Sequence, residues 1–567
     1  MASNSIPLSS SIKKMSGGTI LCTCLALFAL ILSACGGNGN GTANNQGAKS
    51  SVLTIVPSPN GDFTKNFNPF AASPSYGTQG MIYETLLFFN RLDGSTKPWL
   101  ASSYQISSDA KTITFNLRQD VKWTDGQQLT ADDVVFTLNL LKQYPATDTN
   151  GLWNTIANVT NSDSHTVVVT LKQPNAPILW FLGGSTWIVP KHLWSSVGDP
   201  SKYTNPNPVG TGPYTLKSFT PQLIDLAKNP NYWQPGKPVV SEIRYPSFNS
   251  NTGADLLLSR GEVDWTGIFT PNIEKTFVSR DPAHNHYWFP ASNVVMLYLN
   301  LGKAPFNDLA VRKAISYALD RNQMSKVAED GYEQVAHPTG LILPANKSFL
   351  SSDYQSSSFS LDVAKATQTL DSAGYKKGSD GIYLDKTGKK MSFNLNVVTG
   401  WTDWVTICQI MATNLKAIGI EAKVNAIAFN DYLSALQLGS FDMAISWTNP
   451  GPTPYFLYNS LLSSKNTAAI GKSAPSNWER WNDPTTDKYL QQFASTTDTT
   501  AQQQAIAGIE KIVAEQLPTI PLVDGAQWYE YSTVRFTGWP DANNQYAVPS
   551  PYTFPDAAVV ALNLKPV

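Results

Sequence analysis

The chain has 567 residues, enough at roughly 100–200 residues per domain for about three domains and a large core. Charged residues make up only 15% and the net charge is −1, so the chain lacks the basic footprint of a nucleic-acid binder. Most of its 16 Trp, 23 Tyr and 24 Phe are expected in cores, but so many flat faces also suit a cleft that stacks on a ligand.

Lys13 and Lys14 precede an apolar run of 13 residues, Ile20 to Leu32, the length of a signal-peptide core and short for a bilayer span. The run ends Leu32-Ser33-Ala34-Cys35, which resembles a bacterial lipobox: small residues before the cut, then a thiol to take a diacylglycerol. Residues 1–34 are therefore expected to be a lipoprotein signal peptide and Cys35 the lipid attachment. The rival is an uncleaved anchor helix. Residues 35–50, rich in Gly, Asn, Ala and Gln, read as a flexible tether spanning about 20 Å. Cys22 and Cys24 fall in the segment expected to be removed, which leaves Cys408 as the one thiol of the body. Neither a disulfide framework nor a Cys-x-x-Cys metal motif is available.

Ser51–Val56 reads as a strand, followed by a loop through Phe67-Asn68-Pro69-Phe70 to Tyr76 and Gly77. Met81–Phe89 is expected to be an apolar helix or a helix-to-strand segment. Thr112–Leu117 alternates at period two, a strand; Asp125-Gly126 is a turn; Thr130-Ala131-Asp132-Asp133 has the form of a capping box, with Val134, Leu138 and Leu141 on one helix face. His165–Leu171 alternates again. In Val209-Gly210-Thr211-Gly212-Pro213-Tyr214 the glycines are expected to supply positive φ. No helix carrying Lys-Ser/Thr follows, so this is not a phosphate loop. Lys228-Asn229-Pro230-Asn231-Tyr232-Trp233, Ile243-Arg244-Tyr245 and Arg260-Gly261-Glu262-Val263-Asp264-Trp265 come next.

Val294–Leu299 is an apolar strand. Asn307 and Asp308 sit where an N-cap and a first-turn acid are wanted, ahead of the stripe Val311, Ile315, Ala318 and Leu319, with Asp320 as a second cap and Gly331 as a stop. Helices over 362–373, 405–415 and 431–438 alternate with strands over 393–398, 420–427 and 441–447, the pattern of an α/β lobe. Pro518–Val523 reads as a late strand, and 528–567 as a return to the first lobe.

The run FNLRQDVKWTDGQQLTADDVVFTL, the Gly-Thr-Gly-Pro-Tyr turn, and the Leu-Asn, Pro-Phe-Asn-Asp and Val-Arg-Lys-Ala-Ile-Ser-Tyr-Ala-Leu-Asp-Arg words after Val294 resemble the bacterial extracellular solute-binding proteins of family 5. At least six separated blocks between about 51 and 540 carry this likeness. It implies a two-lobed α/β periplasmic-binding-protein-like fold (large type II, cluster C): lobe 1 over 51–300 with an inserted subdomain at about 91–208, lobe 2 over 301–520, and 521–567 returning to lobe 1. It also implies a monomeric, non-enzymatic receptor outside the cytoplasmic membrane. Such a receptor captures an oligosaccharide or oligopeptide and delivers it to ABC permease and ATPase subunits, with no cofactor. The alternatives are a secreted carbohydrate-active hydrolase and a sensor without transport.

Two aromatic clusters mark the expected site. Thr399-Gly400-Trp401-Thr402-Asp403-Trp404 lies between a strand and a helix, and two indoles three apart in a loop are hard to bury together. Trp401 and Trp404, beside Asp403, suit stacking on sugar faces or peptide groups, and the wording resembles family members that bind β-linked oligosaccharides. The plain alternative is that they cover the lobe edge. In the second cluster, Trp447 to Tyr455, peptide-binding members carry an Asp that anchors the peptide amine. This chain has no acid between Trp447 and Tyr458, and Asn449 is left to meet a hydroxyl. Tyr76 joins the expected site through the Asn-Pro loop that family members place near the cleft. His284-x-His286 beside Asp281 reads as a solvated loop rather than a metal site, and no Gly-x-Ser-x-Gly elbow is present.

Overall fold

In the computed structural model, which describes residues 51–567 apart from 93–94 and 344, the apolar run Val294–Leu299 lies within the strand Ala291–Leu299. The expected signal peptide, Cys35 and the tether lie outside the described residues. The run is apolar at every position because both its faces are buried. Val295, Leu297 and Leu299 pack with Val311, Ile315 and Met411 on one side. Val294, Met296 and Tyr298 pack with Tyr432, Ile506 and Ile509 on the other.

This strand is fourth in a five-stranded sheet ordered Glu421–Ile427, Ser392–Val398, Met443–Ser446, Ala291–Leu299, Ile520–Ala526. The helix Leu309–Ala318 follows it, and the Asp308 carboxylate accepts the N–H of Ala310 at 2.9 Å. Buried Arg312 in that helix donates to the Gln516 and Phe306 carbonyls, tying it to the end of the helix Thr499–Gln516. Asp320 caps the next turn through the N–H of Gln323, and Gly331 adopts φ +79°.

The seven-stranded sheet runs Asn285–Tyr287, Glu530–Ser532, Trp265–Thr266, Val52–Val56, Glu242–Pro246, Leu223–Lys228, Tyr214–Thr220. The returning C-terminal chain supplies Glu530–Ser532 to it and packs the helix Asp556–Asn563 into the same core as Leu53, Ile243 and Trp265. A separate four-stranded antiparallel sheet, Ala101–Ile106, Thr112–Leu117, Thr166–Leu171, Ile156–Asp163, is covered by the helix Ala131–Gln143. The expected capping box closes there, with the Asp133 carboxylate accepting the N–H of Thr130 at 2.9 Å.

Three expectations change. Met81–Phe89 holds no helix: Leu87–Phe89 is a short strand, and the preceding backbone is spent on contacts to a distant loop. Gly212 and Tyr214 donate to the carbonyls of Ile82 and Met81 at 2.9 Å each. That explains the second change. Gly210 and Gly212 are not among the positive-φ glycines. They are needed because a Cβ would stand 1.9 Å from the Ile82 oxygen and 2.2 Å from the Met81 oxygen, respectively. Third, Ala291–Leu299 and Ile520–Ala526 both belong to the five-stranded sheet, so the chain changes sheets just before 291 and just after 526, not at 300 and 520. Strand pairing, which sequence order does not reveal, sets those crossing points.

Candidate functional site

Parallel strands bring their carboxyl ends to one edge of a sheet, and the residues just beyond those ends line that edge. In the five-stranded sheet Ser392–Val398 is parallel to both Glu421–Ile427 and Met443–Ser446, and the chain leaves their ends through Trp401, Phe429 and Trp447. In the seven-stranded sheet Val52–Val56 is parallel to Glu242–Pro246 and Trp265–Thr266, and the exits are Ser58–Asp62, Asn251 and Gly267–Phe269. Residues from all six exits line one cavity of about 540 Å³, a volume in the range of ligand sites. The strands that cross between the sheets close its floor through Asn293, Val295, Gly525 and Ala526.

All six residues expected at the site, Tyr76, Trp401, Asp403, Trp404, Trp447 and Asn449, line this cavity. Trp401 is the residue before the helix Thr402–Ala417. Its ring lies 5.1 Å from Trp404 at 79° and 6.2 Å from Trp447 at 48°. The two indoles of the loop divide their roles. Trp404 is 7% exposed and anchored in the lobe core, while Trp401 stays half-buried with its Nε1–H unpartnered among the described residues. Phe429 lies nearly parallel to Trp447 (13°, 6.5 Å) and completes the wall. The Tyr298 hydroxyl donates to the Trp447 carbonyl at 2.8 Å and fixes its backbone. Asn449 is exposed at the rim, its amide donating to the Ser460 hydroxyl at 3.3 Å.

Tyr76 stands on the opposite wall, stacked on Tyr245 (5.8 Å, 27°), with Phe63 edge-on. The Asn60 side-chain amide donates to its hydroxyl at 3.0 Å, and burial holds the phenol well above its ordinary range. Phe269, Trp528 and Tyr552 add further rings near the crossing strands.

Asp403 sits where the two walls touch. The Asn251 side-chain amide donates to its Oδ1 at 3.2 Å, and the Asn251 backbone N–H donates to the Gly400 carbonyl at 3.2 Å. Gly400 has φ +87°, and a Cβ there would lie 2.2 Å from the Asn249 oxygen, so the closeness of this contact depends on glycine. Burial pushes the Asp403 carboxyl up to about 6. Two further acids lie beside it that sequence reasoning missed. Glu333 lines the cavity, 2% exposed, and accepts the Ala526 N–H at 2.6 Å on Oε1. Its other oxygen has no partner among the described residues. Glu329 is fully buried and neither of its oxygens is partnered among the described residues. Burial first, then the neighbouring carboxylates, raises both well above the ordinary carboxylate range. Their surroundings in sequence, Ala328-Glu329-Asp330-Gly331, read only as a polar turn. Phe429 could have been found, since it follows a strand end as Trp401 does.

His284 is exposed and bonded through Nδ1 to Asp281 at 2.8 Å, while His286 lies against the Tyr531 ring. Among the described residues no group of three His, Cys, Asp or Glu side chains is arranged to hold a metal, and no helix is long and apolar enough to cross a membrane. Cys408 is buried, and desolvation raises its thiol, which leaves it an unreactive core side chain.

A cavity framed by strand ends of two α/β lobes, with two strands crossing beneath it, is the architecture of a bilobal solute-binding protein. The chain belongs to the bacterial extracellular solute-binding proteins, family 5, whose middle region matches residues 95–469. It is similar to the oligopeptide-binding protein AppA of Bacillus subtilis, 25% identical over 533 residues that cover 89% of this chain and 93% of that protein. The probable ABC transporter periplasmic-binding protein SapA of Escherichia coli is 26% identical, with 84% and 89% covered. Among solved structures, the mannohexaose-bound periplasmic oligopeptide-binding protein of Thermotoga maritima superposes with a TM-score of 0.86 at 25% identity, covering 91% of this chain and 99% of that one.

Proposed function

We propose that this chain is the extracytoplasmic receptor of an ABC importer and that its cavity holds an oligomeric solute, an oligosaccharide or an oligopeptide, between the two lobes. The observation that carries the reading is the pairing of aromatic rings across the cavity, Trp401, Phe429 and Trp447 facing the wall of Tyr76 and Phe63. Such faces stack on sugar rings or peptide planes without demanding a particular hydrogen-bond pattern. An oligosaccharide is favoured by the lack of an acid between Trp447 and Tyr458, where the family likeness implies a peptide anchor for the peptide-binding members. The mannohexaose named for the Thermotoga neighbour supports the same preference. On this reading residues 51–290 and 527–567 form one lobe, with the four-stranded sheet inserted in it, and 291–526 the other. The body works as a monomer held to the membrane by lipid on Cys35.

A thermal-shift panel of cello- and manno-oligosaccharides and short peptides tests this, since a ligand that binds only the folded protein raises Tm by mass action. Oligosaccharides of several units are expected to raise Tm and to be recovered at their original length. New reducing ends would instead make the protein a hydrolase. Loss of uptake of the same solute on deleting the gene separates an importer receptor from a sensor.

A further inference from the structure

The floor of the cavity is rich in acceptors and poor in donors. Oε2 of Glu333 and Oδ1 of Asn293 both lie buried without a partner among the described residues. Asn293 reaches its position because its strand neighbour is Gly525: a Cβ there would stand 2.0 Å from Asn293 Oδ1. Asp403 lines the same cavity, already holding one donor from Asn251. Burial first, and then the neighbouring Glu333, Asp403 and Asp330, raise the carboxyl of Glu329 well above its ordinary range. Among the described residues no Lys, Arg or His forms an ion pair with Glu329, Glu333 or Asp403. The one arginine of the cavity lining, Arg91, faces Asp556 at 3.9 Å. Buried acids elsewhere take both forms: Trp99, Tyr232 and Trp233 all donate to Glu84, whereas Glu479 is fully buried with neither oxygen partnered among the described residues.

Groups arranged in this way lack hydrogen-bond donors and positive charge. A hydroxyl brings one donor and two lone pairs that need donors of their own; an ammonium brings three donors, no lone pair and a charge. The half-buried faces of Trp401 and Trp447 beside the acids suit a cation as well. We propose that this floor is a subsite for a protonated amine of the ligand, bound by Glu333, Asp403 and the Asn293 amide oxygen under the Trp401 and Trp447 rings. The proposal rests on the cavity being the solute site and adds a requirement to it: the solute is an amino-bearing oligomer, an amino sugar or a peptide with a free amine. Burial raises Glu333 well above the ordinary carboxylate range and Asp403 to about 6, so pairing with an ammonium lowers both, and binding releases a proton wherever a carboxyl held one beforehand.

The test uses two matched pairs with the full chain: a β-1,4-linked glucosamine hexamer against cellohexaose, and a hexapeptide against its N-acetylated form. In at least one pair the amine-bearing member is expected to bind roughly thirtyfold tighter. Its calorimetric heat should vary with the ionisation enthalpy of the buffer, as proton release requires. Glu333→Gln, which keeps an acceptor for the Ala526 N–H, should erase most of the difference. Asp403→Asn serves if that variant does not fold. If the neutral member of each pair binds as tightly as the amine, or if the preference survives in both variants, the amine subsite is wrong and the receptor reading stands. If none of the four probes binds, both fall.

Discussion

The aromatic wall and the acidic floor of the cavity meet at one helix start, where Trp401 and Asp403 are two residues apart, yet they stand in opposite energetic positions. Rings at Trp401, Trp404, Phe429 and Trp447 gain by packing on each other and on the lobe core. The wall is therefore stable with or without a solute. Carboxyls at Asp403, Glu333 and Glu329 lose hydration on folding and find no cation. A floor that costs stability without a compensating contact within the chain points to a partner from outside. The wall provides adhesion tolerant of ligand type, and the floor provides discrimination.

Changing pH acts on the floor and carries the largest expected effect. Burial holds Asp403 up at about 6, and it holds Asp255 in the helix Asn251–Leu258 and Asp524 in the strand Ile520–Ala526, neither of which lines the cavity, up at about 7. The folded state therefore keeps protons that the unfolded chain gives up near pH 4. The stability these groups contribute is full below that pH and is lost as pH rises through about 6 to 7. Tm should fall by several degrees between pH 5 and 8 in the ligand-free protein; a rising Tm would break the contrast between floor and wall. Next comes the joint of the two lobes. Gly400→Ala forces a Cβ onto the Asn249 oxygen at an unfavourable φ, and denaturant unfolding should register a loss of about 2–4 kcal/mol. On the wall, Trp401→Ala should weaken solute binding by about 1–3 kcal/mol while Tm changes little, because Trp404 carries the burial. Unchanged affinity would remove Trp401 from the site. The smallest effect is expected at Tyr76→Phe, which loses the bond from Asn60, about 0.5–1.5 kcal/mol in affinity or stability.

Much of the wall was legible in the sequence. Trp401, Trp404 and Trp447 each follow a readable strand, and their crowding near Gly400 and Pro450 marked them as more than core. The floor was not legible. Glu329 and Glu333 look like ordinary polar positions after a helix, and nothing within a few residues says they are buried. Gly210 and Gly212 were singled out correctly, but for the wrong reason, because what they accommodate is the backbone of Met81 and Ile82, over a hundred residues away.

By itself the sequence determined the helix cap at Asp320, the capping box at Thr130, the alternating strands and the family, since these depend on residues within a few positions of one another or on words in the chain. Only the tertiary structure decided that Tyr76 faces the tryptophans, that the chain changes sheets at about 290 and 527, and that acids far apart in sequence share one buried floor. Strand pairing and burial are relations between distant segments, and the free energy that fixes them does not reside in any local stretch.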